Sequence, residues 1–301
     1  MIVETARYWL DRIDWRKGDD YPSLLGVMGP DEYTPISNNN AYTNFMVSYA
    51  LNLAAEIGQF GGATPAECKQ FKTIAEKLPI MRSQNGKLIL QCEEFEKYAE
   101  PRFDELWKDR SAFFASQVTQ ERIYRSKCLK QADVLMLMAL FYDKFTHEEV
   151  QTAWDYYLQY TTHDSSLSAG MHSIMAFRLG LEDEAWDMFQ HCKGHDLDVY
   201  HGGASEGIHI AGCGANWQII VFGVAGIRTA LQSDILYLEP KLPKQWKSIS
   251  FPFVWQGSSL IITIDKNKAV IKNNSDKNID IKIFSVINCV PVGKEVIFNL
   301  K

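Results

Sequence analysis

Apolar residues recur at helical spacing through the first three quarters of the chain. TARYWLDRI (5–13) and NNNAYTNFMVSYALNLAAEIG (38–58) both keep this period, the second for about six turns. Thr64-Pro65-Ala66-Glu67 is a capping box with proline at the first helical position, predicting a helix that runs to Leu78, before Pro79. Thr146-His147-Glu148-Glu149 is a second capping box and leads into EVQTAWDYYLQY (149–160). Before it, KQADVLMLMALFYDKF (130–145) is apolar nearly all round, the mark of a helix buried on most sides. AGMHSIMAFRLG (169–180) and EDEAWDMFQHC (182–192) predict a helical pair joined at Gly180-Leu181, and GANWQIIVFGVAGIRTALQ (214–232) predicts one more apolar helix.

The period shortens near residue 232. ILYLEP, ISFPFVWQ, SLIITID, KAVIKNN, NIDIKIFSV and EVIFNL alternate or carry β-branched residues, with turn residues such as Gly257-Ser258 between them. They predict six short strands in a small antiparallel sheet or sandwich. The chain therefore divides into a helical region, 1–231, and a β region, 232–301. Helix pairs joined by short turns suggest an antiparallel array or an α/α barrel. The eight or nine helices expected here are too few to close one.

Composition narrows the function. At 46% hydrophobic and 23% charged over 301 residues, the chain is globular, which excludes disorder, collagen and a coiled coil. A net charge of -6 offers no basic face for nucleic acid. No apolar run is long enough to span a membrane. Residues 1–15 carry Glu4, Asp11 and Asp14 and show no signal peptide. Six scattered cysteines predict buried or free thiols in a reducing compartment. The expectation is a cytoplasmic enzyme.

Five segments carry candidate chemistry. Gly26-Val27-Met28-Gly29-Pro30-Asp31-Glu32-Tyr33 sets two acids after a turn. A carboxyl there, desolvated by apolar neighbours, can stay protonated as a general acid; the plainer reading is a polar loop with a helix-capping Asp. Asn38-Asn39-Asn40-Ala41-Tyr42-Thr43-Asn44 offers amides that suit sugar hydroxyls, or one N-cap with the rest in solvent. Lys130-Gln131-Ala132-Asp133 puts polar groups at the head of a buried helix, facing a cavity or forming a Lys130–Asp133 surface pair. His163-Asp164-Ser165-Ser166-Leu167-Ser168 precedes a helix, where hydroxyls and N–H groups can converge on an anion or a serine can simply cap. The glycine-rich stretch 202–212 lets backbone approach a ligand, with His209 as a donor, or serves as a loop between domains.

Two further readings fail on spacing. His191, Cys192, His195, Asp196, Asp198 and His201 match no standard zinc pattern. Ser165 lacks the elbow of a hydrolase nucleophile.

GVMGPDEY, NNNAYTN, LKQADVL, HDSSLSAGMHSIMAFRLG and EGIHIA with GANWQ follow one another in an order that resembles glycoside hydrolase family 65, the inverting phosphorylases of maltose, trehalose, kojibiose and nigerose. The resemblance covers essentially the whole chain. It implies a mainly α fold with C-terminal β: a partial α/α barrel of the six-hairpin toroid type, then a small antiparallel β-sheet domain. It implies that Glu32 is the general acid, that Lys130 and Gln131 contact the glucosyl unit, and that Ser165, Ser166 and His209 bind phosphate. It implies inverting phosphorolysis of an α-linked glucose disaccharide to β-glucose 1-phosphate, with inorganic phosphate as co-substrate and no metal or other cofactor. Phosphate is already an anion, so cationic and donor groups replace the second carboxylate that a hydrolase uses on water.

Family members are longer, with an N-terminal sandwich and a Trp-Asp motif. Here Trp154-Asp155 sits in a helix pattern without the motif's following acid. The expectation is the C-terminal portion of a longer enzyme, partnered by an N-terminal polypeptide or by a second copy. The alternatives are an inverting α-glucoside hydrolase, with Glu206 as the candidate second acid, and a non-catalytic remnant that binds sugar or a partner.

Overall fold

The structure, a computed structural model, describes residues 1–197, 207–228 and 234–300. The expected boundary at 231/232 and the residues Asp198, His201 and Glu206 lie outside the described residues. The chain forms two compact units, Met1–Ser165 and Ser166–Lys301.

The first unit is helical. Helix α1 spans Ile2–Arg12, α2 Ala41–Gly61 and α3 Pro65–Lys77. Short helices α4 (Phe103–Leu106) and α5 (Gln120–Tyr124) follow, then α6 (Val134–Leu140) and α7 (His147–Leu158). Both expected capping boxes form: Thr64 and Thr146 each accept from the N–H of Glu67 or Glu149, whose carboxylates return the bond. Val3, Ala6, Val47, Leu51, Ala54, Phe71 and Ile74 join α1, α2 and α3 around one core. Burying a leucine or phenylalanine side chain contributes about 1.5–3 kcal/mol, so this triplet anchors the N-terminus of α2, from which the site is built.

One expectation shortens. The helix predicted over 130–145 begins only at Val134, because the Lys130 N–H and the Asp133 carboxylate are engaged by residue 31. A tight 3₁₀ turn, Tyr142–Lys144, ends the run.

In the second unit, α8 (Ser168–Leu179) and α9 (Glu182–Gly194) form the expected pair, with Gly180 closing α8 at φ +80°. Helix α10 (Ile210–Gln218) continues into a π-helical stretch, Ile219–Val224. Among the described residues seven strands follow: β1 (Leu236–Leu238), β2 (Ser248–Trp255), β3 (Ser258–Asp265), β4 (Lys268–Asn273), β5 (Ile279–Ile283), β6 (Val286–Val290) and β7 (Glu295–Asn299). They form a four-stranded antiparallel sheet, β2-β3-β4-β7, and a three-stranded sheet, β1-β5-β6, in which β1 runs parallel to β5. Alternate residues Leu260, Ile262 and Ile264 of β3 face the core with Ala269 and Ile271 of β4. The run NIDIKIFSV, expected as one strand, turns at Phe284 (φ +52°) so that VINCV pairs back on it. No Gly, Asn or Asp marks that turn, which is why the pattern read as continuous.

Candidate active site

Asn40 opens the site. Its side-chain oxygen caps α2 by accepting the Thr43 N–H at 2.9 Å, while its amide nitrogen donates to both oxygens of Asp133 (3.2 and 3.3 Å) and to the Gln91 carbonyl (3.2 Å). Its neighbours are used in the same way. Asn38 donates to Glu94, Asn39 to Glu93 and Ser23, and Asn44 to the Pro79 carbonyl. The amides join loops to one another, rather than facing solvent as one reading had it.

The acids of the Gly29–Tyr33 loop part company. Asp31 is fully buried. Its carboxylate accepts from the Lys130 N–H (2.8 Å), Gln91 Nε2 (3.1 Å), Thr34 Oγ1 (3.1 Å) and the Tyr33 N–H (3.3 Å). No helix begins there, so it is not the helix cap of the plainer reading. Asp133, also buried, accepts the Asp31 N–H at 3.2 Å. Asp133 thus holds the backbone of Asp31, and Asp31 holds the backbone of Lys130, three residues before Asp133. Desolvation pushes the Asp31 carboxyl up to about 6, against the pull of its donors; desolvation and then the charge of Asp31 push Asp133 further, to about 8. Gly29 permits the approach. A Cβ there would lie 2.3 Å from Asp133 Oδ2 and 2.4 Å from Asn40 Nδ2.

Glu32 turns the other way. Its side chain is half exposed and forms an ion pair with Lys130 Nζ. The desolvated carboxyls are therefore its neighbours Asp31 and Asp133. The Lys130–Asp133 surface pair does not form, since Asp133 is buried and Lys130 meets Glu32. Gln131 donates to the Pro30 carbonyl, leaving its Oε1 buried without a donor among the described residues. Glu32, Lys130 and Gln131 are thus brought together.

Tyr33 ties the loop to Asp164. Its ring packs with Phe114, Ile123 and Cys128, and its hydroxyl donates to Asp164 Oδ2 at 2.6 Å, next to Ser165. Asp164 also accepts the Ala115 N–H. Ser165 is half-buried.

In the second unit, Ser166 and His209 are neighbours: a Cβ placed on Gly212 would lie 3.6 Å from the Cβ of each. Helix α8 takes Leu167 at its cap position and receives no side-chain cap, so the serine N-cap does not form. His209 Nδ1 meets Asp196 Oδ1 at 2.7 Å, and the His209 N–H also reaches that carboxylate. Hydrogen bonding to His209 lowers the Asp196 carboxyl. Asp196, one of the residues set against zinc, thus orients an imidazole.

Residues 1–218 match the glycosyl hydrolase family 65 central catalytic domain, and residues 229–285 match the family's C-terminal domain. The chain belongs to glycosyl hydrolase family 65. Its family 65 relatives include a kojibiose phosphorylase of Caldanaerobacter subterraneus subsp. tengcongensis, 33% identical over 90% of this chain, and the α,α-trehalose phosphorylase of Thermoanaerobacter brockii, 32% identical over 94%. The maltose phosphorylase of Bacillus subtilis is 31% identical over 90%. The chain spans only 37% or 38% of the length of these relatives. A solved structure of a human-microbiome protein, proposed to be a kojibiose phosphorylase, superposes with a TM-score of 0.87 at 28% identity, covering 99% of this chain and 42% of that one. The family 65 fold thus accounts for the helical region and the β region that follows it.

Sequence reasoning missed Asp31, Gln91, Asp133 and Asp196 as parts of the site's framework. Asp31 and Asp133 carried a signal, since each stands in a quoted motif beside a site residue. Gln91 carried none, because only the fold brings residue 91 to residue 31.

Proposed function

We propose that this family 65 chain supplies the general acid, glucosyl contacts and phosphate contacts for inverting phosphorolysis of an α-linked glucose disaccharide. Glu32 gives its proton to the glycosidic oxygen. The bond from C1 to that oxygen breaks as a phosphate oxygen bonds to C1 from the opposite face, and β-glucose 1-phosphate and a free sugar leave. Lys130 and Gln131 hold glucosyl hydroxyls, Gln131 through its undonated Oε1. Ser165, Ser166 and His209 hold phosphate. The reading needs no metal or other cofactor.

The observation that carries it is the joining of Glu32 to Lys130–Gln131 across about a hundred residues by the paired aspartates. An ammonium beside a carboxylate favours its ionised form, whereas a general acid must hold a proton. In this reading, sugar binding draws Lys130 from Glu32 and readies the acid. Because the chain spans 37% of its relatives' length, turnover is assigned to it together with a complementary N-terminal polypeptide, or in a homo-oligomer. The six free thiols fit a reducing cytoplasm.

The test supplies disaccharide with and without phosphate to the chain, alone and with the N-terminal portion of a relative. Phosphate-dependent release of β-glucose 1-phosphate is expected. Release of glucose without phosphate would mean hydrolysis instead, and no turnover in any combination would leave the non-catalytic reading.

A further inference from the structure

Asp31 and Asp133 are an unusual burial. Neither forms an ion pair with any described residue. Every donor on them is neutral: the backbone N–H groups of Asp31, Tyr33 and Lys130, and the side chains of Asn40, Gln91 and Thr34. The titratable groups facing them are Tyr33, Tyr42, Cys92, Cys128 and Tyr157, and burial pushes each of these further from ionising. Lys130 turns its ammonium away, to Glu32. Two adjacent charges cannot both persist in such a place. Among the described residues the network also lacks a donor, because Gln91 Oε1 is buried without one.

We propose that Asp31 and Asp133 share a single proton and clasp the Glu32 loop to the Lys130–Gln131 loop, and that ionising both carboxyls opens the clasp. Both residues are positioning residues, not catalytic ones. The second negative charge would repel the first across the reciprocal backbone bonds, and the Lys130 N–H and the Asp31 N–H would lose their partners. The two loops would then drift apart, and with them Glu32 and Gln131. The alkaline limit of the site would be set by groups that never touch substrate. The clasp stands on geometry alone; only its effect on turnover rests on the function proposed above.

The experiment follows the carboxyl ¹³C signals of aspartate-labelled, ligand-free full chain from pH 5 to 9, with amide exchange of residues 31 and 130 measured alongside. One of the two carboxyls is expected to stay protonated at pH 7 and to titrate with the midpoint at which both amides lose protection. Two ionised carboxyls at pH 7, or amides that stay protected through the titration, would overturn the proposal. Asp133→Asn, which cannot ionise, should keep both amides protected at high pH; if it fails to fold, the wild-type titration decides alone. Glu32→Gln should leave the midpoint in place, and a shift of the whole transition on that change would also reject the clasp. In an active assembly, kcat/KM should fall about tenfold per pH unit above the midpoint. Absence of turnover would end the phosphorolysis reading without touching the carboxyl titration.

Discussion

The two units carry their proposed chemistry on opposite kinds of support. In the first, Glu32 and Lys130 form a half-exposed pair resting on a fully buried frame of two aspartates, Asn40 and Gln91. In the second, His209 and Asp196 are held by one another, with both side chains partly exposed. The buried frame is stiff and intolerant, since each donor aimed at Asp31 would cost about 1–3 kcal/mol if left unpaired in the interior. The exposed pair is adjustable, as water can replace either partner. A proton donor needs fixed geometry; an anion that arrives from solvent is served by a pair that can yield.

Substitutions test this contrast, the largest expected effect first. Glu32→Gln should cut phosphorolysis by about 10²–10⁴-fold in an active assembly while thermal stability barely changes, because the side chain is half-exposed. Retained turnover would move the acid elsewhere. Asp31→Ala should act on stability as well, lowering unfolding free energy by about 3–5 kcal/mol, measured by urea titration, as it strands four donors at once. A loss below about 1 kcal/mol would mean that the frame is not stiff. Asp196→Asn should weaken phosphate dependence by roughly fivefold, the value of one modest hydrogen bond, with the melting curve unchanged; an unaltered phosphate dependence would remove the pair from the anion site.

A further test is in pH. The folded Asp31 and Asp133 carboxyls are raised from the usual value near 4 to about 6 and about 8, so the folded protein holds more protons there. Their contribution falls as pH climbs through that window. His172, buried with Nδ1 2.8 Å from the Ser168 carbonyl, is lowered to about 4 by burial. The unfolded chain binds more protons at that imidazole, so its contribution falls as pH drops from about 6.5 toward 4. Protection of residue-resolved amides from exchange should therefore weaken around Asp31 in alkali and around His172 in acid. Matching pH dependence at both places would erase the contrast.

How much of this could be read in the chain depends on the range of the interaction. Both capping boxes, α2 and the paired α8 and α9 are local, set by periodicity and caps within a few residues, and the sequence pattern placed them. Family motifs singled out Glu32, Lys130 and Gln131, whose proximity the structure bears out. What stayed hidden was long-range. Alternation along β5 and β6 gives no hint of the turn at Phe284, and the helical pattern over 130–145 gives none of the carboxylate that takes its first N–H. The polar run Asn38–Asn44 stayed open between sugar contacts and a solvent-facing cap, because composition cannot say which amides will be enclosed.

The frame around Asp31 also dictates an order of assembly. Its partners come from positions 34, 91 and 130, and its companion carboxyl from 133. Closing loops of that length is slow and is rewarded only at the end. During synthesis, a nascent chain emerging as far as α3 could already pack its first three helices. The loop bearing Glu32 would have to wait, unsettled, until the ribosome had extruded the 56 residues from the end of α3 to Asp133.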